Sequence, residues 1–266
     1  MLDKEKLLSE RLNQHTFNKR IDKDSIFITV LSDIHYGAND KQYFEDTLKF
    51  IKDIGAYVIL GGDSVDAIVA NNGPGKLQDE WLQNKDDQIT ELADKLKPLA
   101  ESGHILAIGE NGNHNSRIED SVYISPNKML SVLLGDRSLY TGDMCLGFIN
   151  VKDICYTISV MHKTKKTKNY YEFQRADVVF HEHLHEMHYE QKPVYEFNKY
   201  NKSVSAVPTL DIWNGSFINL PNYSMKANYR PQYMGTYFVR LDGNKRDMTI
   251  FEDDKLYNII KCGYKG

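Results

Sequence analysis

The sequence predicts an α/β fold of two packed sheets flanked by helices, with a parallel, helix-linked half first and a β-rich half second. Three observations predict it. Short apolar runs alternate with amphipathic stretches of helical length as far as Leu134, the pattern of parallel βαβ units. From Cys145 onward the apolar residues fall in strand-like runs broken by turn residues. No internal repeat, low-complexity tract or Pro/Gly-rich linker divides the chain, so one domain is expected over residues 1–266, with 187–266 as its β-rich part.

The elements follow in order. Leu2, Leu7, Leu8 and Leu12 have helical spacing, which predicts a short N-terminal helix. Ser25 to Leu31 (SIFITVL) is apolar and β-branched, a buried strand. Lys41 to Ile54 carries Tyr43, Phe44, Leu48, Phe50, Ile51 and Ile54 on one helical face. Ala56 to Leu60 is a second strand. Leu77 to Ala100, with Trp81, Leu82, Ile89, Leu92, Leu96 and Leu99, predicts a long amphipathic helix. His104 to Ile108 is a third strand, and a helix is expected over Asn127 to Leu134. Cys145 to Met161 and Met187 to Phe197 are read as β, and Tyr237 to Phe251 as a hairpin turning at Asp242-Gly243-Asn244.

Composition narrows the class. Hydrophobic residues at 41% supply a sizeable core, and no apolar run reaches the length of a membrane span. The first residues alternate in charge and hold no apolar signal core. The three cysteines (Cys145, Cys155, Cys262) have neither metal nor disulfide spacing; Cys155, in an apolar run, is read as a buried small hydrophobe. A cytoplasmic protein with no membrane partner is the expectation. A net charge of −4 argues against a broad nucleic-acid footprint without excluding a local one.

Five short segments carry the chemistry: Asp33-Ile34-His35, Gly62-Asp63-Ser64-Val65-Asp66, Gly112-Asn113-His114, His162, and His183-Leu184-His185. Alone, each reads as a turn or a satisfied polar side chain. In order, the first three follow the carboxyl ends of three expected parallel strands, where α/β sheets gather their ligands. Asp33 and His35 are two apart, so an extended strand end would aim both to one side. Gly62 and Gly112 allow tight turns before Asp63 and Asn113.

The pattern D-x-H, G-D-x-x-D, G-N-H, H, x-H-x-H resembles the calcineurin-like metallophosphoesterase superfamily, in particular small bacterial and phage-type members related to DNA-repair exonucleases. The resemblance spans residues 33 to 185. It implies a four-layer α/β/β/α sandwich and a dinuclear site. Asp33, His35, Asp63 and His185 would hold one ion; Asp63 would bridge to a second, completed by Asn113, His162 and His183. His114 would stand beside the leaving group with Asp66 orienting it. The implied cofactors are two divalent ions, Mn²⁺ first, with Fe, Zn²⁺ or Ni²⁺ as alternatives to it; a mixed Asp/Asn/His set suits these better than Ca²⁺. Two positions depart from the family pattern. Asn115 replaces the acidic residue usual after G-N-H, and Glu182 replaces the glycine usual before the last H-x-H. Glu182 is expected at the rim, altering substrate access.

The expected activity is hydrolysis of a phosphodiester in a nucleotide or nucleic acid by metal-activated hydroxide. A phosphomonoesterase or protein phosphatase, and a binding protein merely braced by metal, are the alternatives. His181-Glu182-x-x-His185 also matches the H-E-x-x-H pattern of zinc peptidases, which would make His181 a ligand and His183 a bystander. The preceding Asp177-Val178-Val179-Phe180 reads as a strand, against that helix-borne site. Arg117, three residues after His114, and Lys163, first of the run through Lys168, are candidate phosphate contacts at a positive rim. The stretch Pro221 to Met234 interleaves Tyr and Lys/Arg, which suits base stacking or covers a sheet edge.

Overall fold

The computed structural model describes residues 16–66, 81–82, 84–109, 112–115, 125–142, 145–162, 175–218 and 233–263. The expected N-terminal helix, Arg117, Lys163 with its lysine run, and nearly all of the Pro221–Met234 stretch lie outside them.

The strands are β1 (Thr16–Ile21), β2 (Ser25–Leu31), β3 (Tyr57–Leu60), β4 (Ile105–Gly109), β5 (Tyr140–Gly142), β6 (Cys145–Val151), β7 (Ile154–His162), β8 (Val178–Glu182), β9 (His188–Asn198), β10 (Ser203–Trp213), β11 (Tyr237–Asp242) and β12 (Met248–Glu252). The longer helices are α1 (Lys41–Ile54), α2 (Lys85–Glu101), α3 (Pro126–Leu133) and α4 (Asp253–Lys261). They build two mixed six-stranded sheets, β1-β6-β7-β8-β10-β9 and β12-β11-β2-β3-β4-β5. In the second, β2 to β5 are parallel and β11 and β12 add an antiparallel edge.

The two faces of the second sheet carry separate cores. Leu31, Val58, Leu60, Ile105 and Ile108 pack with Phe44 and Ile51 of α1, Leu92 and Leu96 of α2, Leu130 of α3 and Leu256 of α4. The alternate residues Ile26, Ile28, Val30, Ile59 and Leu106 pack with Ile149, Ile158, Val160 and Phe180 of the first sheet. Period-2 alternation thus produces a helix–sheet–sheet stack from strands apolar on both sides. Among the described residues the four helices lie against the second sheet. No helix among these residues is long and apolar enough to cross a membrane.

Helix ends follow local chemistry. Asp40 caps α1 through Tyr43 N–H and Gly55 closes it at φ 65°. Ser125 caps α3 with Pro126 at its first position. The long helix expected from Leu77 begins instead at Lys85, capped by Asn84. Trp81 and Leu82 donate their backbone N–H groups to Gly37 O at 2.7 and 3.1 Å, a tie that diverts them from a helical ladder. Cys155 is exposed and Cys145 buried, the reverse of expectation for Cys155. On β7 the buried neighbour Tyr156 faces the core, so alternation turns Cys155 outward.

Candidate metal centre

The carboxyl ends of β2, β3 and β4 bring the first three segments together, and the ends of β7 and β8 deliver His162, His183 and His185 from the other sheet. Three peptide hydrogen bonds weld the first two segments: Asp33 N–H donates to Gly62 O (2.9 Å), His35 N–H to Asp63 O (2.9 Å) and Tyr36 N–H to Ser64 O (3.0 Å). His114 N–H donates to Asp63 Oδ1 at 2.7 Å, and His183 N–H to Asp33 Oδ2 at 3.0 Å. A Cβ on Gly112 would stand 2.4 Å from Asp63 N, so the close approach of these loops requires glycine there.

The backbone of the site is strained. Seven non-glycine residues among those described have positive φ, and five of them are Asp33 (48°), His35 (48°), Asp63 (50°), His183 (80°) and His185 (53°). This corrects the expectation of an extended Asp33-x-His35. Both residues are left-handed, and the chain coils rather than running straight. Such outliers persist only where surroundings over-determine them, and they concentrate at functional sites.

The side chains form three overlapping clusters, each with potential ligand atoms within 4.8 Å of one another: Asp33–His35–His185, His35–Asp63–His114 and Asp63–His162–His183. Asp63 and His35 each belong to two of them. His185 Nε2 lies 3.1 Å from Asp33 Oδ1, and His162 Nε2 is 3.4 Å from Asp33 Oδ1 and 3.1 Å from Asp63 Oδ2. Asn113 stands beside His114 on the same short turn, half-buried. Asp33, His35, Asp63 and His162 are almost wholly buried. Both ring nitrogens of His35 and of His162, and Asp66 Oδ2, make no hydrogen bond. Buried polar atoms without partners are costly, and Asp and His atoms are ligands for Mn²⁺, Fe, Ni²⁺ or Zn²⁺. The residues therefore fit such an ion on both sides of Asp63.

Electrostatics point the same way. Burial opposes charge on Asp33, yet His185 and His162 hold its carboxyl well below the usual range. Asp63 is likewise lowered against burial, chiefly by His162. Burial works against a proton on His162, but Asp63 and Asp33 raise it well above an ordinary histidine. Burial, then His162, lowers His183 to about 4, and burial lowers His35. The pocket is built to hold positive charge between carboxylates, with neutral imidazoles available as lone-pair donors.

His114 and Asp66 sit at one side. His114 Nδ1 is 2.5 Å from Asp66 O and 3.4 Å from Asp66 Oδ1. A carbonyl only accepts, so Nδ1 carries the hydrogen. Asp66 also lies 3.3 Å from His35 Nδ1. Burial opposes its charge, but the adjacent His114 and His35 rings lower its carboxyl far below normal.

Glu182 is not at a rim. It is 1% exposed, the last residue of β8, and in register with His162. Its Oε2 accepts Gly62 N–H at 2.9 Å. Burial pushes its carboxyl up to about 8. The alternation of Val178-Val179-Phe180-His181-Glu182 carried this signal, since Glu182 shares the face of buried Phe180. His181 points the other way. It stacks on Trp213 at 4.3 Å, with Nε2 3.0 Å from Asp211 Oδ1. The segment is strand, then turn, so the helical H-E-x-x-H arrangement does not exist here. Asn127 is a residue the sequence reading missed. Its Nδ2 donates to Gly61 O at 2.9 Å and to Gly109 O, and its Oδ1 accepts from Ser64, which ties the ends of β3 and β4 together. Asn115, fully buried, accepts from Ser64 Oγ at 3.4 Å and belongs to this brace.

No protein-family model matches the sequence, and no curated protein matches it. Among solved structures, the chain is similar to an archaeal phosphodiesterase at 15% identity and TM-score 0.42, covering 85% of this chain and 99% of that one. It is similar to a phosphoesterase from E. coli at 14% identity and TM-score 0.42, covering 85% and 98%. It is similar to a metallophosphoesterase from Sphaerobacter thermophilus at 14% identity and TM-score 0.36, covering 90% and 95%. Likeness at this level leaves the chemistry to be read from the side chains themselves.

Proposed function

We propose that this protein is a metal-dependent phosphoesterase that hydrolyses a phosphodiester in a nucleotide or nucleic acid. One observation carries the reading: Asp63 is shared by two clusters of Asp and His ligand atoms, His35–Asp63–His114 and Asp63–His162–His183, and Asp66 backs His114. Asp33, His35, Asp63 and His185 would hold one divalent ion, and Asp63, Asn113, His162 and His183 a second, with Mn²⁺ the first candidate. When bound, such a pair supplies Lewis-acid polarisation of a phosphoryl oxygen and lowers the pKa of a water.

The chain's own residues do the rest. The ladders between residues 33–36 and 62–64 fix the ligands in strained, single conformations, so little ordering is left for the reaction. His114 lies in the site, its Nδ1 held by Asp66. A proton for the departing alkoxide would come from His114, whose ring Asp66 orients. A proton donor matters most for a poor leaving group, which favours an alkyl diester as substrate. Arg117 and Lys163 are proposed as phosphate contacts on the strength of their sequence neighbours His114 and His162.

Hydrolysis of bis(p-nitrophenyl) phosphate with added Mn²⁺ tests the proposal. Asp63→Asn is expected to fall to the metal-free background; turnover at the wild-type level would overturn it.

A further inference from the structure

The β9–β10 hairpin outruns its sheet. Leu210 to Trp213 pair with Val178 to His181 of β8, but residues 203–209 of β10 pair only with β9. Among the described residues, 193–208 are thus a two-stranded ribbon outside the sheet's ladder, touched at its base by Arg175, which donates to Tyr195 O at 2.8 Å. Because β10 runs parallel to β8, the ribbon leaves the sheet at the end opposite the metal centre.

Its two faces differ. Leu210 and Ile212 lie in the core between the sheets, and Tyr189, the register partner of Ile212, meets Tyr237 edge-on at 5.7 Å. Continuing along that face past the sandwich come the pairs Pro193/Pro208, Tyr195/Ala206 and Phe197/Val204. The core-facing side therefore stays apolar and uncharged where the core has ended. Tyr195 is 68% exposed, Phe197 74% and Val204 57%. The opposite face is polar apart from one pair: it carries Lys192/Thr209, Val194/Val207, Glu196/Ser205 and Asn198/Ser203. A solvated arm has no reason to keep this alternation. An isolated two-stranded ribbon is marginal in water, and contiguous exposed apolar patches mark interaction sites.

We propose that this face packs against the same face of a second copy of the chain, ribbon on ribbon across a two-fold axis. The area supports this occupant. Aromatic side chains offer about 150–250 Å² each, so the exposed parts of Tyr195 and Phe197, with Val204 and the prolines, present roughly 400 Å² per copy. Two copies would bury on the order of 800 Å², the scale of a weak, concentration-dependent dimer. The patch has no charge to bury, so its self-pairing meets no like-charge repulsion. Pro193 interrupts the donor row on the free edge of β9, which disfavours edge-to-edge sheet extension and leaves face packing.

Sedimentation of the full chain from micromolar to high micromolar concentration tests this. Wild type is expected to form a dimer with a micromolar Kd. Phe197→Glu, and independently Val204→Asp, should raise Kd at least about 100-fold, as expected for a central apolar contact. Glu196→Ala, on the opposite face, should leave it unchanged. All three should keep the wild-type melting temperature and circular dichroism, and their hydrolysis per chain should match wild type because the ribbon lies away from the metal centre. A chain that stays monomeric throughout, or a dimer that survives both face substitutions, overturns the proposal. Either result leaves the phosphoesterase reading untouched.

Discussion

Gly61→Ala should be among the most damaging methyl additions in this protein, and Glu182 is the reason. A Cβ at position 61 would stand 1.7 Å from Glu182 Oε1 and 2.6 Å from its Cδ. Neither partner can yield easily. Glu182 is buried and its Oε2 holds Gly62 N–H. Overpacking a filled site costs about 1–3 kcal/mol. Expelling the carboxyl also leaves the Gly62 amide unpaired, a further ~1–3 kcal/mol. The sum, about 2–6 kcal/mol, is a large part of the 5–15 kcal/mol typical of a domain. Glu182→Ala alone should cost about 1–3 kcal/mol through the same lost hydrogen bond. In the double variant the added methyl occupies space that the carboxyl has vacated, so the two effects should fall short of additivity by about 2 kcal/mol. Urea unfolding of the four proteins in chelator-treated buffer measures the cycle. A Gly61→Ala cost below about 1 kcal/mol, or additivity within about 0.5 kcal/mol, would refute the packing argument.

Replacing His114 with Ala should spare metal content and lower kcat by about 10²–10⁴, the usual contribution of general acid–base catalysis. The loss should be greatest for diesters with poor leaving groups, and equal losses across leaving groups would remove His114 from proton transfer. Saturating Mn²⁺ at 100 times its Kd should stabilise the fold by about 2.7 kcal/mol per site through linkage. For a chain of this size that raises Tm by several degrees per site, and a differential scan without a shift would contradict metal binding by the folded state.

Much of this was legible in the sequence, for reasons that differ by element. SIFITVL is apolar and β-branched on both faces and became β2 with the bounds expected. Lys41–Ile54 combines an amphipathic stripe with an Asp40 cap and a Gly55 stop. The candidate ligands were found because Asp, Asn and His recur after glycine or at strand ends. The rest was set by tertiary contacts. Trp81 and Leu82 continue the apolar period of α2, but Gly37 O captures their amides. Asp33 and His35 look like a strand end, yet peptide bonds to residues 62 and 63 hold both left-handed. The strand β1, with Lys19 and Arg20, and β10, interrupted by Ser205 and Pro208, lack the continuous apolar runs that mark β2 and β3. Glu182 was read by its charge, whereas its strand phase put it inside.

The central claim is that Asp63 joins two ions. Metal content of purified, Mn²⁺-loaded protein, measured by inductively coupled plasma mass spectrometry after gel filtration, tests it most directly. The account predicts two equivalents per chain in wild type and in His181→Ala, and a loss of at least one in His183→Ala and in Asp63→Asn. No bound metal in wild type, or loss in His181→Ala with retention in His183→Ala, would contradict it.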